Sequence, residues 1–179
     1  MAGEQSAVRA RASRSPRDMA LSMGVLLVPV IVLLVLYNVL LNGDAPRAID
    51  ATATYAAARS AGAFTVLEPG GLPGGWTVVS SSYGKQSDGS VLRIGYVTPG
   101  HGGLQLVESD RPVNSLLPDE LGAGAQPGDP VSIGGLQWRT YPVARAGGQG
   151  LVLAGDGRTV IIVGTVSADD LRTLASSLK

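Results

Sequence analysis

The chain has 179 residues, 45% of them apolar, with no cysteine, one histidine and 14 basic side chains against 14 acidic ones. Zero net charge and 4% aromatics lack the basic excess and stacking rings of a nucleic-acid binder. The absence of cysteine rules out disulfides, zinc knuckles, iron–sulfur clusters and a thiol nucleophile, and one histidine excludes any site needing two imidazoles.

Residues 1–18 are rich in Arg, Ser and Ala without periodicity and read as a disordered basic cytoplasmic tail. Residues 19–41 follow with 19 apolar positions in 23 and no charge. A helix of that length reaches roughly 34 Å, so the pattern predicts a transmembrane helix across a core of about 30 Å. Pro29 falls mid-span and Tyr37 near one end, where an amphipathic ring suits the interface. Arg9, Arg11, Arg14 and Arg17 precede the run, and only Arg47 follows within the counting distance. That asymmetry predicts an uncleaved signal-anchor at the cell membrane, single-pass, with a cytoplasmic N-terminus and an extracytoplasmic C-terminal part.

Residues 42–48 read as a linker and residues 49–179 as one extracytoplasmic domain. From residue 42 onward glycine supplies 23 of 138 positions, mostly paired or beside proline, as in Pro73-Gly74-Gly75 and Gly134-Gly135. These glycines punctuate short apolar runs, the pattern of turns between strands. In chain order the expected elements are a helix over 49–61 stopping at Gly62, with Ile49, Ala53, Ala56 and Ala57 on one face, then strands at 76–82, 91–98 and 104–108, the last two forming a hairpin. After a loop over 109–130 with a short helical turn come strands at 131–133, 137–143, 150–154 and 159–166. Gly155-Asp156-Gly157 signals a tight turn, and the apolar run at 159–163 a central strand covered on both faces. A helix closes the chain. Ser167 and Asp170 form a capping box, and Leu171, Leu174, Ala175 and Leu178 make one apolar stripe. The fold class is therefore α+β, an antiparallel sheet of about seven strands flanked by N- and C-terminal helices behind one transmembrane helix.

Nothing in the sequence assembles a catalytic set, and the protein is expected not to be an enzyme and to need no cofactor or metal. His101 lacks a nucleophile and a second ligand, and reads as a hairpin-tip residue. The Pro69–Gly75 glycines run into a strand, not a helix, and neither lysine is near, so they form turns and no phosphate cradle. Asp169 and Asp170 are accounted for by a helix N-terminus, while Asp119 and Glu120 lie in a Gly/Pro-rich loop. The aromatics carry the one site hypothesis. Trp76, Tyr83, Tyr96, Trp138 and Tyr141 lie in or beside strands and would form a ligand or partner wall with Arg93 and Arg139. The competing reading makes Trp76 and Trp138 core anchors under the helices.

Four stretches carry a family likeness: Leu72-Pro73-Gly74-Gly75-Trp76, Gly95-Tyr96-Val97-Thr98-Pro99, Gly135-Leu136-Gln137-Trp138, and Ala168-Asp169-Asp170-Leu171 running to Ser176-Ser177-Leu178. With them the chain resembles single-pass membrane proteins of actinobacteria that carry a domain of unknown function. It departs from that pattern at Gly100–Leu104, where a polar residue and then an aromatic are the family's habit. The opening Pro/Gly-Trp strand and the closing Leu-x-x-Leu-Ala-x-Ser-Leu helix are similar to the Mog1/PsbP-type α/β/α sandwich. The resemblance brings no catalytic residue, cofactor or substrate. The function expected is a membrane-anchored, non-catalytic binding module with the lipid bilayer and an envelope protein or polymer as partners, and no nucleic acid. A regulatory or sensory membrane protein signalling through its Arg-rich tail is the alternative.

Overall fold

In a computed structural model the chain is described over residues 16–41, 46–143 and 148–179, and it divides into two compact units, Met1–Ala45 and Pro46–Lys179. The first contains helix α1, Pro16–Leu41. Its described large apolar side chains, from Leu21 to Tyr37, are all exposed, between 47% and 73%. The helix is thus apolar around its whole circumference, unlike the one-sided stripe of a helix packed on a core. The expected disordered tail lies outside the described residues except at 16–18, which are helical.

Among the described residues no helix is long and apolar enough to cross a membrane. This corrects the transmembrane helix expected over 19–41.

The second unit holds a seven-stranded, wholly antiparallel sheet. Its strands are β1 (Thr77–Gln86), β2 (Gly89–Val97), β3 (Gly103–Ser109), β4 (Pro130–Ile133), β5 (Leu136–Val143), β6 (Gly148–Gly155) and β7 (Arg158–Gly164), in the order β1-β2-β3-β7-β6-β5-β4. Three helices complete it: α2 (Thr52–Ala61), α3 (Val113–Leu121) and α4 (Ala168–Ser177). The glycine-punctuated runs are the strands. β7 is the central one, with Thr159 to Ile162 buried. β6 and β7 are joined through Asp156 and Gly157, both at positive φ (50° and 74°), the geometry of a two-residue hairpin turn.

Side-chain parity divides the core in two. Leu92, Ile94, Tyr96, Leu104, Leu106, Val160 and Ile162 form one cluster with Tyr55 and Ala58 of α2 and Leu171, Leu174 and Ala175 of α4. Val91, Val107, Val152 and Ile161 form another with Leu116 and Leu121 of α3. Helices therefore cover both faces. Ser167 caps α4, its Oγ accepting from the Asp170 N–H at 3.1 Å, but the Asp170 Oδ2 accepts from the Ser167 hydroxyl (2.8 Å) and not from the Ser167 N–H, so the expected capping box forms by half. Two further expectations shift. The helical turn between β3 and β4 is a nine-residue helix. On α2 it is Tyr55 and Ala58 that turn inward, while Ala53, Ala56 and Ala57 are exposed.

The β1–β2 turn is pinned from the β3–α3 connection. Arg111 donates to both carboxylate oxygens of Asp88 (2.8 and 2.9 Å) and to Asp119 (3.0 Å), and Asp110 Oδ1 accepts from the Ser90 N–H at 2.6 Å. Gly89 lies beneath this clamp at φ +148°, where a Cβ would fall 2.7 Å from Asp110 Oδ1 and 3.0 Å from the Arg111 nitrogen. Gly89→Ala is therefore expected to cost about 1–3 kcal/mol through strain and a displaced Asp110, read as a lower denaturant midpoint. A midpoint equal to that of the parent protein refutes the clamp's rigidity.

Candidate functional site

The domain's chemistry concentrates where α2 meets the β1 edge of the sheet. The chain enters along that edge, with the Ile49 N–H donating to the Val78 carbonyl at 2.9 Å. There the β1–β2 register slips between Val78 and Ser80, a bulge of the kind that re-aims side chains beside sites. Ala51 offers α2 no side-chain cap; instead Asp50 Oδ1 accepts from the Thr52 N–H at 2.8 Å. Hydrogen bonds from the Thr52 side chain and backbone hold the Asp50 carboxyl below its usual range, so it is ionised at neutral pH.

The connection from α2 to β1 lies against the C-terminus. The Glu68 N–H donates to the Lys179 carbonyl (3.1 Å), the Lys179 N–H to the Glu68 carbonyl (3.2 Å), and the Gly70 N–H to the Ser177 carbonyl (2.8 Å). These ties place Glu68, Pro69 and Leu72 around a cavity of about 220 Å³ shared with Ile49, Asp50, Ala51, Val78 and the buried rings of Tyr55 and Tyr96. The two phenols hydrogen-bond each other at 3.1 Å. Two hydroxyls sharing one bond retain one further donor and several lone pairs. Burial, the Tyr55 bond working against it, pushes the Tyr96 phenol up to about 12, and burial with the neighbouring Tyr96 drives Tyr55 higher still. Both are neutral throughout the physiological range. Glu68 is half-exposed and ion-paired with Arg59 through Oε2.

Glu108 lies on the same face of the sheet, in β3 between Leu92 of β2 and Val160 of β7, and is 0% exposed. Its Oε2 accepts from the Leu67 N–H at 2.9 Å, while Oε1 is buried with no hydrogen-bond partner. Burial pushes this carboxyl from its ordinary 4.5 up to about 7, against the opposing pull of the Leu67 N–H and of Arg158 and Arg59.

The seven residues expected to form a single wall are divided between two faces. Trp76 and Tyr96 meet edge to face with centroids 6.3 Å apart, and Tyr96 lines the cavity. Tyr83 packs on the same cluster, as does Trp138, which is fully enclosed. Arg93 is on the opposite face, its Nε donating to Glu120 Oε1 at 3.1 Å, and Tyr141 belongs to the α3 cluster. Arg139 is exposed on β5. The wall is thus two disjoint sets, because residues of odd and even number on one strand face opposite ways. His101 is exposed in the β2–β3 turn at φ 60°.

Sequence reasoning missed Tyr55, Asp50, Glu68 and Glu108. For Glu108 the signal was present, since Leu104, Leu106 and Glu108 share a parity that two leucines mark as buried. A second hollow of about 290 Å³, between the β3–α3 connection and the β6–β7 turn, is lined by Arg111 and Arg158. Those guanidinium groups already serve Asp88, Asp119 and the Thr65 carbonyl, which makes this hollow the weaker candidate.

Fold and cavity together define an α+β domain with helices on both faces of an antiparallel sheet and a small mixed-polarity cavity at one edge. Over residues 11–178 the sequence matches the family described as "Protein of unknown function (DUF4245)", and the chain belongs to that family. No curated protein matches the sequence significantly. Membership of that family bears out the domain of unknown function read from the four sequence stretches.

Proposed function

We propose that the protein is a non-catalytic binding module held at the extracytoplasmic side of the cell membrane, where its Pro46–Lys179 domain engages a protein or envelope component. The observation that supports this reading is the cavity over Tyr55 and Tyr96. Its walls mix apolar side chains with a few convergent polar groups, the composition of a recognition site. At about 220 Å³ it is below the 300–1,000 Å³ typical of drug-sized ligands, so it takes one side chain or a small headgroup. The exposed leucines and valines of α1 support attachment to a lipid surface without a crossing of it, because such a surface in water is an aggregation liability.

A photo-crosslinking residue at Leu72 in the full chain, irradiated in the native envelope, tests both parts. The expected adduct sediments with membranes and disappears when Thr52→Trp fills the cavity mouth. An adduct indifferent to Thr52→Trp, or none, overturns the binding role. Recovery of the protein in the soluble fraction overturns the membrane placement.

A further inference from the structure

We propose that the cavity over Tyr55 and Tyr96 receives a lysine side chain of a partner protein; the inference rests on the binding role above and names its ligand chemistry. Charge decides the class first. Asp50 and Glu68 are the charged residues lining the cavity among the described residues, and both are acidic. The site therefore favours a cation and opposes phosphate or carboxylate ligands. Apolar walls from Ile49, Leu72 and Val78 suit a short aliphatic stem, and the phenol oxygens suit an ammonium at its tip, while the Tyr55 ring already has the Arg59 guanidinium 5.7 Å from its centroid.

The existing hydrogen bonds decide between lysine and arginine. A guanidinium binds best to a carboxylate offering two parallel oxygens. Asp50 already commits Oδ1 to the Thr52 N–H, and Glu68 commits Oε2 to Arg59. Both carboxylates are thus already engaged, Asp50 by the hydroxyl and the N–H of Thr52 and Glu68 by Arg59, which suits a planar fork less well than a compact ammonium with three independently directed donors. Arg59 shares the charge of Glu68, whereas Asp50 forms no ion pair among the described residues, so Asp50 is the main electrostatic determinant. The cavity volume fits one such side chain and leaves no room for a folded loop to enter.

The test uses the full chain in detergent micelles, titrated with n-butylammonium chloride and, separately, with n-butanol and butyrate, while the methyl resonances of Ile49 and the ring resonances of Tyr96 are followed. Butylammonium is expected to shift these signals saturably, with butanol and butyrate far weaker. Asp50→Asn keeps the acceptor for Thr52 but removes the charge, and is expected to weaken butylammonium about two- to fivefold, the scale of a solvent-exposed ion pair. A capped lysine amide is expected to bind more tightly than a capped arginine amide. Equal shifts from butanol, or equal affinity in Asp50→Asn, overturn the ammonium assignment, and tighter binding of the arginine amide overturns lysine as the ligand. If butylammonium fails while the Leu72 crosslink still depends on an open cavity, this inference falls and the binding role stands; if the crosslink fails too, both fall.

Discussion

Trp138→Ala is expected to destabilise the domain by about 3–5 kcal/mol, the range for emptying a buried aromatic site. Trp138 is 0% exposed and is enclosed by the cluster beneath α2 and α4, with Val131 of β4 as its cross-strand partner. Its indole N–H is buried without a hydrogen-bond partner, and this makes the second member of the series more informative. Trp138→Phe leaves a smaller void and removes a donor whose desolvation costs about 1–3 kcal/mol, so it is expected to lie within about 1.5 kcal/mol of the parent protein. Denaturant melts of the two variants give the comparison. A Trp138→Ala cost below about 1 kcal/mol would contradict the enclosed position, and a Phe variant as unstable as the Ala variant would show that the N–H has a partner.

The contrast between Trp138 and Tyr96 explains what the sequence disclosed. All seven strands were legible because Gly and Pro pairs mark the turns while the runs between them are apolar and β-branched. The Ser167 cap and the Leu171-Leu174-Ala175 stripe made α4 equally plain. α3 was obscured by Pro112, Pro118 and Gly122, which read as loop residues although Leu116 and Leu121 supply its apolar contacts. The inward face of α2 was illegible for another reason. Ala53, Ala56, Ala57 and Ala58 are alike in side chain, and only Tyr55 distinguishes one face from the others.

The candidate site was harder still, because it depends on contacts between distant segments. Tyr55 meets Tyr96 across 41 residues, and Leu67 meets Glu108 across another 41. Neither separation leaves a local periodicity. Parity within strands would nonetheless have divided the expected aromatic wall, since Arg93 and Tyr96, or Trp138 and Tyr141, differ by three positions and so face opposite sides. Composition alone grouped them, and composition carries no direction.

The stability of the domain is expected to fall as pH rises from 5 to 8, a trend set by Glu108. Its carboxyl titrates at about 7 in the folded protein against an ordinary value of 4.5. Between those values the folded state holds a proton that the unfolded state has released, so the folding free energy is fully favourable below about 4.5 and is progressively lost as pH climbs toward 7. A separation of 2.5 (7 minus 4.5) at 1.36 kcal/mol per unit amounts to about 3 kcal/mol. Above pH 7 the charge is buried with one oxygen satisfied by Leu67 and the other by nothing. Asp50 and Asp88, whose carboxyls are held below their usual range by hydrogen bonds, act at lower pH and with the opposite sign. Tyr55 and Tyr96, pushed up by burial, begin to destabilise only above about pH 10. Of these shifted groups, Glu108 is the one that titrates between pH 5 and 8. Glu108→Gln retains a carbonyl acceptor for the Leu67 N–H and cannot ionise, so its stability is expected to stay level across this window and to exceed that of the parent at pH 8 by about 3 kcal/mol. Urea midpoints measured at half-unit pH intervals for both proteins decide the matter: a level parent curve, or an equal slope in Glu108→Gln, would remove the buried carboxyl as the cause.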